Sequence, residues 1–124
     1  MRYLLLTLLM FALAPAATAH VGLAVTVPDH DAVLERAPTL IHFEFMAEMM
    51  LTNLRLDCMS GERKGERIEV RIPRNDVGQS TAIGQMLDIE LPELAPATYQ
   101  VAWQAVSRDG EIVVDDFLFT VSAP

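Results

Sequence analysis

The sequence has 124 residues, which is enough for one domain. Hydrophobic residues make up 52% and charged residues 21%, which excludes a disordered or fibrous chain. Seventeen acidic against nine basic side chains give a net charge of −8, which argues against nucleic-acid binding and against a strongly anionic membrane surface.

The chain opens with Arg2 and then an apolar run over 4–14. That run has the length of a signal-peptide core and is too short to span a bilayer. Pro15 breaks it, and Ala17-Thr18-Ala19 supplies small residues for cleavage. Residues 1–19 therefore read as a secretory signal peptide cleaved after Ala19, leaving a mature domain over 20–124. Removal takes away one arginine and moves the net charge from −8 to −9. The mature chain has no second apolar run able to enter a membrane, so it is expected to be soluble in a periplasm. A single cysteine, Cys58, excludes a disulfide framework and a cysteine-rich zinc site.

Cleavage makes His20 the first residue. A free N-terminal histidine offers its α-amino nitrogen and its ring Nδ1 to one metal ion. Their reference pKa values, about 8 and about 6.5, let both be neutral near pH 7.

Beyond this point turn signals recur at short intervals and no helical period is sustained. Residues 20–27 read as a first strand, ended by Pro28-Asp29. Residues 29–38 read as a connection with one short turn at Ala32-Val33-Leu34. In the second strand, 39–45, Ile41, Phe43 and Phe45 point one way and His42 and Glu44 the other. Residues 46–50 read as a loop before a third strand, in which Leu54, Leu56 and Cys58 share a face. A polar hairpin tip follows over 60–65, then a fourth strand carrying Ile68, Val70 and Ile72. Leu87, Ile89 and Leu91 mark a fifth strand, Tyr99, Val101, Trp103 and Ala105 a sixth, and Phe117, Phe119 and Val121 a seventh. Seven short strands of period two predict an all-β fold, a two-sheet sandwich or partly open barrel. The expected core comprises Phe43, Phe45, Leu54, Leu56, Ile68, Val70, Leu87, Ile89, Tyr99, Val101, Trp103, Phe117 and Phe119.

Three stretches resemble the CopC-type periplasmic copper-resistance proteins. The first is the mature start, His20-x-x-Leu23, leading through Pro28 to Ile41-His42-Phe43-Glu44-Phe45. The second runs from Leu94-Ala95-Pro96 through Tyr99-x-Val101-x-Trp103 to Val106-Ser107-Arg108-Asp109-Gly110. The third is Phe117-x-Phe119-x-Val121. The resemblance implies an Ig-like, seven-stranded Greek-key β-sandwich/barrel. It also implies a Cu(II) site made from the N-terminal amine and imidazole, an Asp, and a His two residues after that Asp. The first His corresponds to His20 and the Asp to Asp109, while Glu111 stands where the family has its second His.

Gly110 permits a bend that lets Asp109 and Glu111 face one ion. An amine, an imidazole and two carboxylates suit the tetragonal N/O preference of Cu(II), with Zn(II) and Ni(II) as competitors. A softer set for Cu(I) is Met46, Met49 and Met50, which lie in the expected loop; the alternative is that these methionines fill gaps around the core. Cys58 falls in register with Leu54 and Leu56 and reads as buried and inert, while His30 and His42 read as surface residues.

The expected function is therefore copper binding for resistance or homeostasis, with copper handed to, or kept from, a CopD-type inner-membrane permease. The alternative is an Ig-like interaction module with a degenerate metal site. No Ser-His-Asp order, nucleophile motif or nucleotide loop marks the chain as an enzyme.

Overall fold

A computed structural model describes residues 23–124. His20 and the cleavage site lie outside the described residues. Seven strands follow one another: β1 (Leu23–Val27), β2 (Ala32–Leu34), β3 (Leu40–Cys58), β4 (Arg67–Ile68), β5 (Ile83–Glu90), β6 (Ala97–Ser107) and β7 (Ile112–Val121). The fold is all-β, as the alternating pattern predicts, and is the Greek-key sandwich/barrel that the resemblance implies.

The 19-residue β3 organises the domain. In its first half Phe43 pairs with Thr26 of β1 on one edge and Leu87 of β5 on the other. In its second half Met49 pairs with Gly84 of β5 and with Ser107 of β6. β5 thus keeps one edge of β3, and β1 and β6 follow each other along the opposite edge. β7 adds antiparallel to β6, and β2 adds parallel to β7 beside Phe119, Thr120 and Val121.

Two irregularities let one strand serve both halves. Glu44 pairs with Met86 and Met49 with Gly84, so extra β3 residues bulge out between them. Met46, Ala47 and Glu48 in that bulge are exposed. Further on, Leu51 pairs with Ala105 but Asn53 with Gln104, leaving Thr52 unpaired. A one-residue bulge reverses which face each side chain points to. Accordingly Ile41, Phe43, Phe45, Met49 and Leu51 are buried before Thr52, and Leu54, Leu56 and Cys58 after it. The Thr52 hydroxyl donates to the Gln104 carbonyl at 3.2 Å.

The expected strands two and three are therefore one strand, and residues 46–50 are not a loop. Ala32-Val33-Leu34 is a strand rather than a turn because β7 offers it a free edge. Asp31, left-handed at φ 64°, donates its N–H to the Leu118 carbonyl at 2.7 Å and aims the chain along β7. The fourth strand shortens to two residues. Ile68 and Val70 are consequently only partly buried, whereas the rest of the expected core is buried. Its centre is aromatic: Trp103 meets Phe43 and Phe45 edge-on, at centroid distances of 5.6 and 5.7 Å. Tyr99 stacks on Phe119 at 5.4 Å and donates its hydroxyl to the Ala95 carbonyl, fixing the turn before β6.

Candidate metal centre

The β6–β7 turn carries Asp109 and Glu111. Ser107 organises it: its N–H donates to the Glu111 carbonyl at 2.9 Å, and its carbonyl accepts from the Gly110 N–H at 3.0 Å. Its hydroxyl accepts from the Glu111 N–H at 3.1 Å. Gly110 closes the bend at φ 81°, a left-handed conformation in which a β-carbon is strained. Both carboxylate side chains are exposed. Among the described residues neither is engaged in an ion pair or a side-chain hydrogen bond.

The strand register sets what lies beside this turn. β1 starts at Leu23 opposite Phe45, and β6 ends at Ser107 opposite Met49, both on one edge of β3. The start of the described chain and the acidic turn therefore flank the 46–48 bulge from its two ends. Glu48 in the bulge reaches across to the turn and pairs with Arg108 at 3.5 Å. Sequence reading missed Glu48, because only the bulge turns it toward the turn and no local pattern announces that bulge. Among the described residues no three His, Cys, Asp or Glu side chains group to hold a metal ion.

The expected soft cluster is divided. Met46 is 71% exposed, Met50 is partly buried, and Met49 is 1% exposed within the core; Met49 and Met50 line one cavity with Glu48 and Arg108, and Met46 is not among its lining residues. Cys58 is buried, as its register predicts, and its thiol donates to the Ser60 carbonyl at 3.2 Å. His30 accepts the Leu118 N–H on Nδ1 at 3.1 Å and sets Nε2 3.3 Å from Asp31, which gives it a structural role in docking β2.

His42 is more constrained than a plain surface residue. Its Nδ1 lies 2.6 Å from an oxygen of Asp88, and its Nε2 lies 3.5 Å from an oxygen of Glu44. The hydrogen bond to Asp88, then that to Glu44, raises its pKa above the ordinary histidine value. No spacing within the sequence reveals this arrangement, because it depends on the register between β3 and β5.

The CopC domain model matches residues 23–122, beginning just beyond the segment read as a signal peptide and its first mature residues. Two solved structures have a similar fold. One is PcoC, a methionine-rich copper resistance protein from Escherichia coli, with 24% identity and a TM-score of 0.61, over 81% of this chain and 96% of that one. The other is CopC from Methylosinus trichosporium OB3b, with 21% identity and a TM-score of 0.60, over 81% of this chain and 91% of that one. No curated protein sequence matches. With a family match across nearly the whole described chain and the same strand architecture, this protein belongs to the CopC domain family.

Proposed function

We propose that this protein is an exported, periplasmic copper-binding protein of copper resistance or homeostasis. It takes Cu(II) on the mature N-terminus and either sequesters the ion or hands it to a CopD-type inner-membrane permease. Copper is its cargo, and the work is coordination and ligand exchange rather than turnover. The ligands are the α-amine and imidazole of His20 with the carboxylates of Asp109 and Glu111.

The observation that carries this reading is the shared β3 edge. Only Val21 and Gly22 separate His20 from Leu23, and those three residue steps span at most about 10 Å. Continuing β1 backwards along β3 leads toward Met49 and its partner Ser107. The turn that carries Asp109 and Glu111 follows Ser107 at that end of β6, which supports pairing its carboxylates with the N-terminus. Glu111 supplies negative charge where the family has an imidazole, which favours a cation but gives up one nitrogen donor.

Calorimetric titration of the processed chain with Cu(II) tests this. The expected result is one bound ion per chain and a loss of affinity of at least 10-fold in the double variant Asp109→Asn/Glu111→Gln. Absence of stoichiometric binding by the processed chain would favour the interaction module with a degenerate site. Mass spectrometry of the exported form should find His20 as its first residue.

A further inference from the structure

The sheet made by the second half of β3 with β6 and β7 has an outward face that is polar over its middle. Asn53 pairs with Gln104, which pairs with Val114, and Arg55 pairs with Ala102, which pairs with Asp116. The row next to the acidic turn breaks this pattern. Ile83 of β5 pairs with Met50 of β3, Met50 with Val106 of β6, and Val106 with Ile112 of β7. Residues paired in this way project to one face of a sheet. Their chain neighbours Ala82, Met49, Leu51 and Ala105 are buried, so the row points outward. Four strands in succession thus present apolar side chains in one line. Ile83 is 52% exposed and Ile112 60%, and Val114, on the same face as Ile112, is 69% exposed.

Scattered apolar side chains on a surface need no explanation, whereas a contiguous row with a polar rim marks an interaction site. This row meets a cavity of about 180 Å³, lined by Met49, Met50, Ile83 and Val106 and closed by the Glu48–Arg108 pair. A pocket beside an apolar strip takes the single anchoring side chain that carries most of an interface's energy. The rim is acidic. Asp109 and Glu111 on the turn, Glu48 in the bulge and Asp116 on β7 are set against Arg108. A second copy of this acidic chain would bring the same rim to the row, and an anionic lipid surface is repelled in the same way. Charge complementarity therefore selects a cationic occupant. The row also crosses the strands on the face of the sheet, where an occupant finds no backbone partners. Its own backbone hydrogen bonds must be internal, as they are in a helix.

We infer that the row Ile83–Met50–Val106–Ile112, with Val114, is a docking surface for a partner protein that presents an amphipathic helix, its apolar stripe flanked by lysine or arginine. Three interstrand spacings of about 4.8 Å make the row about 14 Å long. That is the length of about nine helical residues, so apolar side chains at i, i+3 or i+4, and i+7 cover it from Ile83 to Ile112. One of them fills the cavity beside Glu48 and Arg108. The flanking cations meet Asp109, Glu111 and Glu48 and set the orientation of the helix. A partner docked here lies against the turn proposed to hold Cu(II). The inference itself stands on the apolar row and its acidic rim and does not rest on copper.

The test uses the processed chain freed of metal with EDTA, so its outcome is read separately from the Cu(II) titration. The probe is a blocked, fluorescently labelled peptide of leucine and lysine, about 14 residues long, with its leucines on one helical stripe. One control peptide has the same composition without the stripe, and another carries glutamate in place of lysine. The expected result is saturable binding of one probe per chain, with the methyl NMR signals of Ile83, Met50, Val106 and Ile112 shifting. Ile83→Ser and Ile112→Ser alter exposed positions, so the fold is retained, and each should weaken binding at least 5-fold. Val33→Ser, in the exposed face of β2 at the other end of β7, should leave it unchanged. Both control peptides should bind at least 10-fold more weakly than the probe. Equal affinity in the Ile112→Ser variant, equal binding of the glutamate peptide, or shifts confined to other residues would overturn the assignment. So would self-association of the chain that Ile112→Ser abolishes, which would give the row to a second copy. Binding of the chain to phosphatidylcholine vesicles that Ile112→Ser abolishes would give it to a lipid surface and would overturn it equally.

Discussion

Glu48 and Arg108 meet at 3.5 Å across the space between the start of β1 and the end of β6. The pair ties the β3 bulge to the turn bearing Asp109 and Glu111, and it places a cation beside the proposed Cu(II) ligands. Arg108 is 84% exposed, so the pair adds little to stability. Its charge nevertheless opposes a second cation. Arg108→Ala is expected to tighten Cu(II) binding by about 1.4- to 5-fold, corresponding to the roughly 0.2–1 kcal/mol typical of exposed charge pairs. Unfolding free energy should change by less than about 0.5 kcal/mol. Calorimetry and urea denaturation measure the two quantities, and weaker Cu(II) binding in the variant would contradict this account of Arg108.

Trp103 joins the layers through its edge-on contacts with Phe43 and Phe45. Truncation leaves a cavity that the surrounding sheet cannot close. Trp103→Ala should therefore cost about 3–5 kcal/mol. Urea unfolding monitored by far-UV circular dichroism checks this, and a loss below 1 kcal/mol would show that the core closes around the gap.

Thr52 is the residue at which β3 changes phase. Deleting it would close the bulge, set Asn53 directly after Leu51 in the ladder with Gln104 and Ala105, and leave both apolar sets facing the core, so the deletion should keep cooperative unfolding. Inserting one alanine between Leu54 and Arg55 instead turns Leu56 and Cys58 toward water and should abolish it. Thr52→Ala keeps the phase and loses only one part-buried hydrogen bond, at a cost of about 1 kcal/mol. Equal stability of the insertion and Thr52→Ala in urea unfolding would contradict the role given to the bulge.

Burial raises the pKa of Tyr99 above the ordinary tyrosine value, with a smaller contribution from nearby Cys58. The folded state therefore holds the phenolic proton at a pH where the unfolded chain has begun to release it. The resulting stability is fully present below about pH 10 and is lost as pH rises through the folded value. Tyr99→Phe should lose about 1 kcal/mol at neutral pH, with the hydrogen bond to Ala95, and show a flatter alkaline decline. Denaturant midpoints measured from pH 8 to 11 test this, and identical alkaline slopes would contradict it.

Much of the fold was legible because alternation is a local signal. Phe43, Phe45, Tyr99, Val101 and Trp103 are buried as their spacing requires. The continuity of β3 was not legible. A bulge shifts the phase, so a single strand reads as two strands with a loop between them. β2 was hidden for a different reason: three residues carry no periodic signal, and its partner is the edge of β7 far along the chain. Residues 68–72 alternate well, yet only Arg67–Ile68 pairs with β3. At the acidic turn, Asp109 and Glu111 were visible from Gly110 and the resemblance. Glu48 and the Asp88–His42–Glu44 arrangement depend on pairings between strands, which no local pattern encodes. The methionines show the same limit: spacing along the chain groups Met46 with Met49, whereas the fold separates them.

The most direct measurement of the central claim is electron paramagnetic resonance of Cu(II) bound to the processed chain, compared with the chain that retains Ala19. The account predicts two nitrogen donors in the processed chain, the amine and imidazole of His20, and loss of that spectrum when Ala19 precedes it. An unchanged spectrum and affinity in the extended chain would contradict it, because the ion would then be held without the free N-terminus.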